Sequence, residues 1–68
     1  MSAPFYVGKP VRLRVNVQGF RAGDTGRVIR VDRGPSAAGE TVVYICEIDT
    51  PAGGRLAALY PEEIEPVR

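Results

Sequence analysis

The run Gly23-Asp24-Thr25-Gly26, leading into Arg27-Val28-Ile29-Arg30-Val31-Asp32, constrains this chain more than any other stretch. Glycine reaches positive φ without a steric penalty, and Asp24 can cap its own turn with a side-chain oxygen, so a tight reversal is predicted here. Val28, Ile29 and Val31 then favour extended backbone. They do not alternate cleanly, and a β-bulge, one extra residue in one strand of a pair, reconciles them. A reversal feeding a bulged strand predicts the joint between two strands of a small barrel.

The rest of the chain is read outward from that joint. Residues 1–7 form an N-terminal arm that frays or packs through Phe5 and Tyr6, and residues 8–68 form one domain. Val11, Leu13, Val15 and Val17 alternate with Arg12, Arg14 and Asn16, which predicts a half-buried strand over 11–17. Residues 18–25 are a loop in which Phe20 folds back over one end of the barrel. A second strand is expected over 26–32, and the small residues of 33–40 predict a mobile loop. The third strand, 41–49, alternates Val42, Tyr44, Cys46 and Ile48 with a second row that includes Val43 and Ile45. Both faces are apolar near its middle, so both need cover. Thr50-Pro51-Ala52-Gly53-Gly54 is a hairpin turn by composition. A fourth strand is expected over 55–60, with Leu56 and Tyr60 on one side, Leu59 on the other and Tyr60 in the core. Pro61 before two glutamates predicts a helical turn, since proline suits a first helical position and carboxylates suit the N-terminal end of the dipole. A short strand over 64–67 closes an all-β barrel of about five antiparallel strands.

Composition excludes several kinds of chemistry. With one cysteine, Cys46, and no histidine among 68 residues, the chain supplies neither an internal disulfide nor the usual Cys/His zinc ligands, and lacks the histidine base of most nucleophilic catalysis. No metal site, cofactor, small-molecule substrate or catalytic residue is expected. Glu62, Glu63 and Glu65 read as a solvated acidic turn, and Cys46 as a buried, inert thiol. No long apolar run predicts a membrane span and no secretory leader is evident, so a cytoplasmic setting is the expectation. A chain this short buries only roughly 60% of its unfolded surface, and oligomerisation or docking on a larger partner is one route to added stability.

The charge is uneven. Residues 1–33 carry a balance of +5 and residues 34–68 a balance of −4. The basic half could contact nucleic acid through Arg12, Arg14, Arg21, Arg27, Arg30 and Arg33. Alternatively those arginines form a solvated face neutralised across strands by Glu47 and Glu65.

The strand order with a helical turn at Pro61-Glu62-Glu63 before a last short strand resembles the SH3-like barrel over residues 8–67. Within it, Gly23 to Asp32 is similar to the glycine-valine turn of KOW-type segments in ribosomal and transcription-associated proteins, which implies RNA or DNA binding. The opening Gly8-Lys9-Pro10-Val11-Arg12-Leu13, with Cys46-Glu47-Ile48-Asp49 and Glu62-Glu63-Ile64-Glu65-Pro66, also resembles small bacterial SH3-like proteins. It resembles as well the barrel subunits of photosystem I (subunit IV) and of ferredoxin-thioredoxin reductase (variable chain). Leu56 to Pro61 is similar to the pore strand of plasmid-type dihydrofolate reductases, but Ala58 and Leu59 stand where that family's polar glutamine is expected. These resemblances imply the fold more than the task. The leading expectation is a non-catalytic interaction module that docks on a larger protein or complex, or on further copies of itself, through the outer face of Val43 and Ile45 or through the loops carrying Phe20 and residues 33–40. Nucleic-acid binding by the arginines is the second, and a small subunit required by a multi-subunit enzyme the third.

Overall fold

A computed structural model describes residues 5–36 and 39–67; the first four residues of the expected arm, Ala37, Ala38 and Arg68 lie outside it. The strands are β1 (Pro10–Leu13), β2 (Thr25–Ser36), β3 (Gly39–Thr50), β4 (Gly53–Leu59) and β5 (Ile64–Pro66), with a 3-10 turn over Pro61–Glu63. They form one antiparallel sheet in the order β4-β3-β2-β1-β5. Thus the all-β expectation holds, with five strands and a helical turn before the last.

Every strand sends residues into one core. Val11 and Leu13, Val28, the row Tyr44, Cys46 and Ile48, then Ala57, Leu59 and Ile64 are buried together. Because the edge strands β4 and β5 share that cluster, the sheet curls so that its inner face closes on itself. Phe5 packs edge-on against Tyr44, 5.2 Å between ring centroids, and joins the same core. Tyr6 stays exposed beneath the Lys9 ammonium, so the described part of the arm packs through Phe5.

The expected bulge is present. Val28 faces Cys46 and Arg30 faces Ile45, leaving Ile29 as the extra residue. Gly26 is required for a different reason than the turn alone. A Cβ there would run into the Glu47 carbonyl and come within 2.9 Å of Ile48 Cα, so only glycine lets β2 approach β3 this closely.

Three boundaries differ from the expected ones. The alternation over 11–17 does not continue as strand past Leu13: the Leu13 N–H donates to the Asp24 carbonyl and the Gly23 N–H to Leu13, which leaves residues 14–22 to form a separate excursion. Alternation is a local property, whereas a strand ends where its partner does. The expected mobile loop over 33–40 is instead, in its described part, the end of a long hairpin, with Gly34 opposite Thr41 and Pro35 opposite Glu40. In β4 the faces are opposite to expectation: Ala57 and Leu59 are buried while Leu56 and Tyr60 are 63% and 50% exposed. The hairpin register, Thr50 opposite Gly53, decides that phase.

Candidate interaction surface

The excursion over 14–22 is braced by its own polar groups and by Asp24 at its base. Val17 and Phe20 exchange main-chain hydrogen bonds around Gln18 and Gly19, both at positive φ (53° and 84°), the geometry of a type I′ turn. Asp24 Oδ2 accepts from the Arg21 N–H and Asn16 Oδ1 from the Ala22 N–H. Gln18 then reaches across the molecule: its Nε2 donates to the Ala58 carbonyl at 2.8 Å. Nothing in the sequence marks Gln18, because its role depends on an edge strand 40 residues away. Phe20 belongs to the buried core cluster, 6% exposed, with the Arg55 guanidinium 5.1 Å from its ring centroid. That burial removes it from the set of docking residues: its apolar surface is already covered by the core and a cation.

The outward face of β3 and β4 carries the other two. Val43 stands opposite Asp32, and Ile45 lies between Arg30 and Ala58. Both are half-buried. Carrying the β3–β4 register one residue beyond Leu59 sets Tyr60 beside Val43, while Leu56 stands opposite Glu47. Tyr60, Val43, Ala58, Ile45 and Leu56 therefore share one face. Sequence reasoning missed Leu56 and Tyr60 because it had the phase of β4 inverted. The glycines that set that phase were legible, but their pairing partner was not.

The arginines do not gather. Arg12, Arg27 and Arg30 lie on the outer face, since each sits opposite outward positions of its neighbours, whereas Arg33 faces Val42 on the other side of the hairpin. Arg14 and Arg21 belong to the excursion. Three of the six are paired with carboxylates: Arg12 with Glu65 at 2.8 Å, Arg30 with Asp32 at 2.8 Å and Arg33 with Glu40 at 3.9 Å. The hydrogen bond from Arg12, with smaller help from Arg14, holds the Glu65 carboxyl below its ordinary range. Glu47 faces Arg27 in register, but its side chain lies across Gly54 on β4, where a Cβ would meet Glu47 Cγ at 2.5 Å. A shallow recess of about 310 Å³ opens on this face, with Arg27 on one wall and Glu47 and Asp49 on the other, so its charge is mixed.

Cys46 is fully buried, and burial pushes its thiol up to about 11 from 9.0. Among the described residues no group of three or more Cys, Asp or Glu is arranged to hold a metal ion, and no helix is long and apolar enough to cross a membrane. No family model, curated protein or solved structure matches the chain.

Proposed function

We propose that this chain is a non-catalytic interaction module, an SH3-like barrel that docks on a larger protein or complex through the outer face of β3 and β4. The observation that carries the reading is the face shared by Tyr60, Val43, Ala58, Ile45 and Leu56. A contiguous apolar face beside an ion pair that neutralises itself, Arg30 with Asp32, suits a protein partner: apolar burial supplies affinity and the charged margin supplies orientation. The order β4-β3-β2-β1-β5 and the 3-10 turn before β5 support the SH3-like resemblance. A cytoplasmic setting goes with this reading.

Affinity capture from the native host, with and without nuclease, tests the reading. A protein partner recovered equally in both samples, and lost with Val43→Lys plus Ile45→Lys, supports it. Recovery that the double variant leaves unchanged contradicts it. Nuclease-sensitive recovery would favour nucleic-acid binding instead. That second reading draws on Arg14, Arg21 and Arg27, which have no ion pair among the described residues, and the pairing of the other three weighs against it.

A further inference from the structure

The two edges of the sheet are treated differently. β5 is three residues long and includes Pro66, which has no N–H to offer a further strand. β4 runs for seven residues, Gly53–Leu59, and its one charged side chain, Arg55, lies over Phe20. No proline or lysine blunts it.

The direction of its main-chain groups follows from the ladder. Val28 donates its N–H to Lys9 at 3.1 Å and accepts at its carbonyl from Gly8 at 2.7 Å, so its main-chain groups turn toward the β1 side. In an antiparallel sheet those groups alternate along a strand, so Cys46, opposite Val28, turns toward β4. Ala57, opposite Cys46, returns those bonds, and Gly54, Leu56 and Ala58 point theirs away from the sheet. The Gln18 amide bound to the Ala58 carbonyl at 2.8 Å agrees with that direction.

We propose that the outer edge of β4 pairs antiparallel with β4 of a second copy of this chain, about a two-fold axis at Leu56. At that axis Leu56 and its symmetry mate exchange both main-chain hydrogen bonds, as an isologous contact requires. The outward groups of Gly54, Leu56 and Ala58 are centred on Leu56, so an axis there uses all three, and charge argues against the neighbouring axis at Arg55. An axis at Arg55 would set two guanidinium groups directly opposite one another, whereas an axis at Leu56 sets Arg55 opposite the small Ala57 of the second copy and Gly54 opposite Ala58. A formal net charge of +1 offers little long-range repulsion between copies. A single strand pair buries less than the ~1,200 Å² at the low end of stable interfaces, so the dimer is weak and exchanging. Gln18 limits it further by occupying the Ala58 carbonyl that the pairing needs.

This inference is independent of the docking reading, because it concerns main-chain groups at the edge of β4 and not the apolar face. The test is sedimentation equilibrium of the whole protein over a wide concentration range, with residue-resolved amide exchange at both ends. The expected result is a monomer–dimer equilibrium in which the Leu56 and Ala58 amides gain protection with concentration while Ala57 stays protected throughout. Leu56→Pro, which removes the N–H at the axis, should abolish the dimer. Leu56→Lys, which keeps the main chain and sets like charges face to face, serves if the proline variant fails to fold, and should weaken it at least tenfold. Gln18→Ala should tighten it. A monomer at every concentration overturns the proposal, and so does a dimer in which the Leu56 amide is no better protected than in the monomer.

Discussion

Gly26 and Glu47 approach so closely across β2 and β3 that the Glu47 carbonyl occupies the place a Gly26 side chain would need. Gly34, further along the same strand, has open space around it and no positive φ. The contrast gives a paired prediction. Gly26→Ala forces backbone apart and should cost about 2 kcal/mol or more, as overpacked cores do. Gly34→Ala stiffens the unfolded chain at no native cost and should add about 0.5 kcal/mol. Urea unfolding midpoints of the two variants check both signs.

Tyr44 carries the largest fully buried side chain, and its hydroxyl finds no hydrogen-bond partner among the described residues. A buried, unsatisfied hydroxyl costs its desolvation, so Tyr44→Phe keeps the edge-on contact with Phe5 and should stabilise the fold by about 1 kcal/mol. Thermal and urea unfolding read the gain directly. A loss of stability would mean that the hydroxyl has a partner after all.

The Cys46 thiol should be inert in the folded protein. With its pKa near 11 and no exposed surface, it reacts only when the core opens, so alkylation at neutral pH should track unfolding. The linkage runs in a definite direction. The unfolded thiol ionises from about pH 9.0 and the folded one only near 11, so its contribution to stability is whole below 9.0 and falls between the two. Alkylation rates against denaturant, and unfolding midpoints from pH 8 to pH 11, a window set by those two values, check it.

Arg12 and Glu65 tie β1 to β5 on the surface. The Glu65 carboxyl is held below its ordinary 4.5, so what the pair contributes is present at neutral pH and lost as acid protonates the carboxylate. Both side chains are well exposed, and the effect on overall stability should be slight. An NMR titration of Glu65 should show its midpoint rising toward 4.5 in Arg12→Ala.

How much of this was legible in the sequence depends on whether a feature is local. The turn at Gly23, a bulge among Val28, Ile29 and Val31, the Pro61 turn and the row Tyr44-Cys46-Ile48 follow from residues acting on their neighbours, and all are present. The end of β1 at Leu13, the continuation of the β2–β3 hairpin beyond Asp32 and the phase of β4 depend on pairing partners far along the chain. The surface suffered most from this. Val43 and Ile45 were legible as an outward apolar row, but Leu56 and Tyr60 joined them only once the register was known. Phe20 left the set because a guanidinium and the core cover it.

The central claim is that the β3–β4 face docks on a protein. Replacing Tyr60, half exposed and next in the chain after Leu59, with a photo-crosslinking phenylalanine analogue tests it most directly. Irradiation in extract of the native host should yield a discrete protein adduct that survives nuclease treatment and disappears when Val43→Lys and Ile45→Lys are added. An adduct that nuclease removes, or one formed equally well by the double variant, would contradict it.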